Sequence, residues 1–275
     1  DTPMYRDILV HADGSNGCAR RMAAAAALAK RHEAHLVALF PLESIDMPSY
    51  VTAQIGPEVL AEARAIRLEE ANRVKGKFDA VMKAADVLGE WRQETGETAL
   101  VLCRHARYAD LLVVSQPDTA EDAAREPTFP GELALASGRP VLVLPHTTLP
   151  DIIGSKVLVA WNGSREASRA VHDALPVLAA ADSITVQEVD PPEADRIPGA
   201  EIAAHLARHG LDVEARHSVA PDIDVGDELL NAASDGGCDL VVMGAYGRSR
   251  LREAMLGGTT RHMLQNLTVP LLMSH

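Results

Sequence analysis

Directly after the apolar run Leu240 to Met243 the chain reads Gly244-Ala-Tyr-Gly247, then nine residues that include Arg248, Arg250 and Arg252, then Gly257-Gly258-Thr259-Thr260-Arg261. Small residues after a strand let backbone amides approach a phosphate, and the amides and dipole at the start of the next helix favour its negative charge. The spacing therefore reads as an anion site. The charge distribution agrees: residues 149–275 carry ten Lys and Arg against 18 Asp and Glu, and four of the ten, Arg248, Arg250, Arg252 and Arg261, fall in this loop. Arginines clustered in an acidic half concentrate favourable potential where an anion would sit. The plainer reading is that Arg252 and Glu253 decorate a solvated helix.

In an open α/β sheet a ligand rests outside the carboxyl ends of the strands, where Asn162, Gly163 and Val189 are expected. Asn162 suits a ribose hydroxyl or a base edge, and Val189 offers a backbone carbonyl or amide to the base. Asn162-Gly163 equally suits a turn that needs those backbone angles, and the pair alone does not rank the two readings. No H-E-x-x-H, G-x-S-x-G or lysine-bearing P-loop occurs, and Gly247-Arg-Ser249 lacks the second glycine of a nucleophile elbow. His32, His35, His205, His209 and His217 fall on or beside expected helices and strands, where surface or internally satisfied histidines are the common case. No catalytic residue and no metal ligand is assigned. Without a P-loop lysine or a water-positioning residue, any ATP turnover is expected to be slow.

The elements that would position these residues are written twice. Asp7-Ile-Leu-Val-His-Ala-Asp-Gly-Ser15 is echoed by Lys156-Val-Leu-Val-Ala-Trp-Asn-Gly-Ser164, Asp110-Leu-Leu-Val-Val-Ser115 by Asp239-Leu-Val-Val-Met-Gly244, and Pro140-Val-Leu-Val-Leu144 by Pro270-Leu-Leu-Met-Ser274. Three echoes in one order predict a tandem duplication, residues 1–148 and 149–275. The offset shortens after the first echo, which places an insertion between Asp46 and Gly76. Its Ile45, Met47, Pro48, Tyr50, Val51 and Ile55 suit a pocket wall or a partner surface. Strands are expected at Ile8 to Ala12, His35 to Phe40, Leu111 to Ser115, Val157 to Trp161, Leu240 to Met243 and Val269 to Ser274. Helices are expected at Cys18 to Arg31, Glu58 to Val87, Ser164 to Ala180, Ala200 to His209, Asp224 to Ser234 and Arg261 to Asn266. Unalternating apolar strands separated by helices imply mostly parallel sheets covered on both faces. The linker is His146 to Gly154, short enough for the copies to pack together, and edge strands near Val141 to Leu144 and Leu271 to Met273 are where they would meet.

The 275 residues carry a net charge of −13, with 47% hydrophobic and 24% charged residues. That composition suits an ordinary globular chain and opposes nucleic-acid binding, which needs a dominant basic face. Cys18, Cys103 and Cys238 are odd in number and form no C-x-x-C, so neither a disulfide nor a zinc site is expected. No apolar run approaches the roughly 18 residues of a membrane span, and the start of the chain lacks a basic region followed by an apolar stretch. No membrane partner is expected, and the cytoplasm is the expected location.

The pattern Gly244-x2-Gly247-x9-Gly257, following a unit that opens with a strand and Asp/Asn-Gly-Ser, resembles the universal stress protein family in its tandem form. Arg6 to Pro145 and Ser155 to His275 both resemble it. The resemblance implies two tandem copies of a five-stranded, mostly parallel α/β sheet covered by helices on both faces, a fold like that of adenine nucleotide alpha hydrolases. It also implies ATP or a related nucleotide in some members, with magnesium as companion, and none in others. Where the family motif has Ser or Thr after its third glycine this chain has Gly258, leaving Thr259 or Thr260 as replacements. Asn162 stands where nucleotide-binding members have a strand-one acid. The first copy keeps Asp13-Gly14-Ser15, but Gln116 to Gly131 holds no glycine pair, carries Glu121, Asp122 and Glu126, and is broken by prolines. That copy is expected to bind no nucleotide.

The leading expectation is a stress-response sensor or regulator that binds an adenine nucleotide in its second half, as a monomer that imitates a dimer or as a homodimer. A protein partner of unknown kind fits either state. The alternative is a nucleotide-free scaffold or interaction module. A third reading, slow ATP hydrolysis or adenylyl or phosphoryl transfer, rests on fold analogy alone.

Overall fold

A computed structural model describes residues 4–43, 57–116, 129–191, 197–247 and 258–275. In the first copy the order is β1 (Asp7–His11), α1 (Cys18–His32), β2 (His35–Leu42), α2 (Pro57–Ala85), β3 (Gly89–Thr95), α3 (Thr98–Ala106), β4 (Leu111–Ser115), α4 (Phe129–Ser137) and β5 (Val141–Leu144). The second copy runs β6 (Lys156–Ala160), α5 (Arg165–Leu178), β7 (Ser183–Val189), α6 (Ala200–Arg208), β8 (Val213–Ser218), α7 (Val225–Asp235), β9 (Leu240–Gly244), α8 (Thr259–Gln265) and β10 (Leu271–Ser274). The insertion residues Ile45 to Ile55 and the acidic Glu121, Asp122 and Glu126 lie outside the described residues.

The strands form one ten-stranded sheet in the order β3-β2-β1-β4-β5-β10-β9-β6-β7-β8. The pairs β1·β2 and β1·β4 are parallel in the first copy, as are β6·β7 and β6·β9 in the second. The copies meet where β5 and β10 pair antiparallel, with Leu271 opposite Val143, Leu272 opposite Leu142 and Met273 opposite Val141. The duplication thus becomes a pseudo-twofold, each copy covering the other's last edge as two subunits of a dimer would.

Alternate residues of the apolar strands feed two cores. Ile8, Val10, Val157 and Val159 face one side with Met22, Ala25, Ala170 and Val171, whereas Leu9, Leu112, Leu158 and Val241 face the other with Leu133, Leu229 and Met263. The echoed aspartates do the same work in both copies. Asp110 Oδ2 accepts from the amides of Arg6 and Asp7 at 2.7 and 3.1 Å, tying the start of β1 to the loop before β4. Asp239 accepts from Gly154, Ser155 and Lys156 at the start of β6, at 2.7, 2.9 and 2.9 Å.

β7, expected only through Val189 at its end, and the two outer strands β3 and β8 are additions to the sequence expectation, and β3 and β8 have a common cause. Most of their side chains are solvated, so they lack the apolar run that marks the inner strands. Each instead carries a Glu-x-Arg pair: Arg92 Nε to Glu90 Oε1 at 2.7 Å, and Arg216 NH2 to Glu214 Oε2 at 2.7 Å. Charged edges of this kind discourage further strand pairing. α8 begins at Thr259 rather than at Arg261, so Thr259 and Thr260 lie in its first turn and Gly258 is its N-cap.

Candidate functional site

The cleft is built from the carboxyl ends of β6, β7 and β9. At the end of β6 the chain turns through Asn162-Gly163-Ser164. Asn162 Oδ1 accepts from Ser164 N at 3.0 Å, and Ser164 Oγ caps α5 by accepting from Ala167 N at 3.1 Å. Gly163 has φ +68° with open space around it, so glycine is present there for the left-handed turn.

Gly244, ending β9, is a glycine for a different reason. A Cβ on it would stand 2.5 Å from both Ala167 N and the Glu166 carbonyl carbon, so the strand end passes against the first turn of α5 with no room for a side chain. The next residues are pinned. Ala245 N donates to Ser274 O at 2.8 Å and His275 Nδ1 lies 2.9 Å from Ala245 O. Tyr246, with φ +54°, donates its amide to Thr260 Oγ1 at 3.1 Å. That bond draws the buried Thr260 against the glycine loop. α8 is held in turn to α7 by His262, whose Nε2 is 2.8 Å from Asp227 Oδ1.

Six sequence-assigned residues, Asn162, Val189, Gly244, Gly247, Thr259 and Thr260, come together as the lining of this one cleft. Gly258 sits beside them at the head of α8, and Gly163 lies in the turn rather than in the lining. Arg248 and Gly257 lie outside the described residues, as do Arg250 and Arg252. Sequence reasoning missed the apolar wall of Ala160, Val225, Leu229 and Met243, together with Trp161, Ala167 and Gln187. Gln187 was the findable one, a buried amide inside the strand Ser-Ile-Thr-Val-Gln-Glu-Val, with Nε2 donating to Ser218 Oγ at 3.0 Å. An apolar wall, a side-chain amide, and hydroxyls beside a glycine turn suit a flat heterocycle carrying a polar tail.

One charge opposes an anion. Glu166 is buried, and its Oε2 lies 3.2 Å from where a Cβ on Gly247 would stand. Burial pushes its carboxyl up, but its own backbone amide, the Arg165 guanidinium and His275 outweigh that and hold it below the usual range. It is ionised at neutral pH.

The matching strand ends of the first copy carry a buried arginine instead. The buried residues of α1 and α5 fall in the same register, with Arg21 at the place of Ala170 and Ser115 at the place of Gly244. The Arg21 guanidinium donates to His11 O at 2.7 Å and Ser115 Oγ at 3.1 Å and pairs with Asp13 Oδ2 at 2.8 Å. It therefore bridges the ends of β1 and β4, the counterparts of β6 and β9. Burial pushes the Asp13 carboxyl up, yet Arg21, His11 and the Ser15 hydroxyl outweigh it and hold it well below the usual carboxylate range. Burial, aided by Arg21 and opposed by Asp13, pushes His11 down to about 4.

The family model for universal stress proteins matches residues 4–125 and again residues 155–275. The chain belongs to the universal stress protein family. A universal stress protein from Archaeoglobus fulgidus DSM 4304 superposes with a TM-score of 0.77 at 14% identity, covering 98% of this chain and 95% of that one, so the fold is shared over the full tandem length. The universal stress protein Slr1230 of Synechocystis sp. is 28% identical over 124 residues, 43% of this chain and 42% of that protein. The chain thus matches less than half of that relative's length. A universal stress protein solved in complex with cAMP aligns at 24% identity over 53% of this chain and 100% of that one, with a TM-score of 0.36. Among the described residues of this universal stress protein, no helix is long and apolar enough to cross a membrane.

Proposed function

We propose that this universal stress protein binds ATP or a related adenine nucleotide in its second copy, residues 149–275, and works as a nucleotide-responsive regulator, with residues 1–148 carrying no nucleotide. The observation that carries the reading is the convergence of Asn162, Val189, Gly244, Gly247, Thr259 and Thr260 on one cleft with an apolar wall. The base would lie against Val189, Met243 and Leu229 beside the Gln187 amide, the ribose near Asn162, and the phosphates at Gly247 and Thr259. The buried Arg21 across the matching strand ends of the first copy supports one nucleotide per chain. Glu166 would be the residue that helps hold an accompanying magnesium ion, which would offset that carboxylate's charge.

The test is thermal unfolding with and without magnesium-ATP, beside the variant Gly247→Glu. A ligand that binds only the folded state raises its melting temperature, and a second carboxylate beside Glu166 should abolish the rise. No rise at millimolar ATP in a folded sample rejects the reading and leaves a nucleotide-free scaffold.

A further inference from the structure

We infer that the first copy positions the nucleotide loop of the second, through Tyr246 seated on Gly131. The inference rests on the proposed nucleotide site for its consequence but not for its geometry. Tyr246 is the residue before Gly247, and its φ of +54° is a conformation that non-glycine residues rarely adopt. Contacts to both copies hold it there. Its amide donates to Thr260 Oγ1 at 3.1 Å within the second copy. Its ring crosses the pseudo-twofold onto α4 of the first copy, where a Cβ on Gly131 would fall 2.8 Å from Cε2 and 2.9 Å from Cζ and closer still to the hydroxyl. Gly131 is buried and helical, so the space its missing side chain leaves is the seat of the tyrosine.

A second tie runs the same way. Gln116, at the end of β4, extends a buried side chain whose Nε2 donates to Leu264 O of α8 at 2.7 Å, while its Oε1 lies 2.9 Å from His146 Nδ1 in the linker. Gln116 stands at the place of Ala245, one residue past the strand end in both copies, and their amides make matching bonds to Leu144 O and Ser274 O at 2.8 Å each. The first copy has thus lost its glycine pair and gained two side-chain-sized contacts, one offering a seat and one reaching across, both on the segments that frame the second copy's cleft. A loop held in a rare backbone conformation needs its surroundings to over-determine it, and here part of those surroundings belongs to the other copy.

The decisive experiment is a double-mutant cycle of Gly131→Ala and Tyr246→Ala in the full chain, read two ways. Amide hydrogen exchange of the ligand-free protein across residues 244–247 and 259–265 reports the loop itself, and titration calorimetry with magnesium-ATP reports its consequence. Gly131→Ala is expected to speed exchange in both segments at least several-fold and to weaken ATP at least several-fold. Both effects should vanish when Tyr246 is already alanine, because nothing remains for the new methyl to displace. Tyr246→Ala removes atoms rather than adding them, so it keeps the cycle readable if Gly131→Ala alone is poorly folded: it should by itself speed exchange in both segments. Exchange that responds as described in a wild-type protein that binds no ATP would uphold the positioning role while rejecting the nucleotide reading. Unchanged exchange in both single variants overturns the inference, as does faster exchange with undiminished ATP affinity.

Discussion

Arg21 NH2 lies 2.8 Å from Asp13 Oδ2 at the carboxyl ends of β1 and β4, where the second copy has Ala170 and Asn162 in the same register. The buried guanidinium also takes up His11 O and Ser115 Oγ, so one side chain ties the ends of β1 and β4 together with its charge matched. Arg21 is buried but Asp13 is about a third exposed, so removing the guanidinium leaves a carboxylate that water can reach and costs mainly the lost charge-assisted hydrogen bonds, about 1–3 kcal/mol. Arg21→Met should therefore lower the unfolding free energy by about that amount in urea titrations, and adding Asp13→Asn should recover part of the loss. A loss under about 1 kcal/mol, the scale of a solvated pair, would mean that the cluster is hydrated in solution.

Two buried histidines of the first copy give the protein a predictable response to mild acid. Burial pushes both His11 and His32 down to about 4, against about 6.5 for an unfolded histidine. Between those values the unfolded chain binds more protons than the folded one, so stability is full above pH 6.5 and is lost as pH falls toward 4. Asp13 is held low in the fold, so its contribution persists through that window and is lost only at more acid pH. Urea unfolding at pH 7.5, 6 and 5 should show a progressive fall, smaller in His11→Asn. A flat profile over this range would contradict neutral burial of the two imidazoles.

How much of this was legible beforehand depended on burial. The inner strands other than β7 announced themselves because both faces are covered, and the echo of Asp110 in Asp239 survived because both cap the start of a neighbouring strand. β3 and β8 were silent because their side chains meet solvent and their pairing is carried by backbone bonds that leave no apolar signature. At the cleft, glycine spacing marked Gly244 and Gly247, but the apolar wall from Val225 and Leu229 comes from a helix that resembles any other amphipathic helix until it is docked. Arg21 was hidden for a related reason. An arginine in the first turns of a helix normally reads as solvated, and only the fold reveals the carbonyl, hydroxyl and carboxylate that converge on it.

Glycine at position 244 has a packing requirement separate from any ligand. A methyl there would stand 2.5 Å from Ala167 N and the Glu166 carbonyl carbon, backbone atoms that cannot rotate away. Gly244→Ala should destabilise the protein by about 1–3 kcal/mol, the usual cost of overpacking, and should do so in the absence of nucleotide. Gly163→Ala, with open space but φ +68°, should cost about 1 kcal/mol through backbone strain alone. Equal stability of Gly244→Ala and wild type in urea would show that β9 and α5 slide apart more readily than their packing implies.

Glu166 bears directly on the proposed nucleotide site. Its carboxylate is ionised, pairs through Oε1 with Arg165 NH2 at 3.0 Å and turns Oε2 toward Gly247, so on the proposed reading a free nucleotide triphosphate would meet a like charge, partly offset by Arg165, near its phosphates. A divalent cation held by Glu166 would reverse the sign of that contact, because carboxylate and phosphate oxygens are both ligands that magnesium accepts. Glu166→Gln keeps the shape and removes the charge. Without magnesium the variant should bind ATP more tightly than wild type by about threefold to tenfold, the scale of one partly screened charge. With magnesium present the advantage should shrink or reverse, since the wild-type carboxylate then has a cation to hold. Titration calorimetry in EDTA and in millimolar magnesium separates the two arms. If Glu166→Gln weakens ATP equally in both, the carboxylate is accepting a hydrogen bond from the ligand rather than opposing its charge, and the phosphates must lie farther along the loop than Gly247.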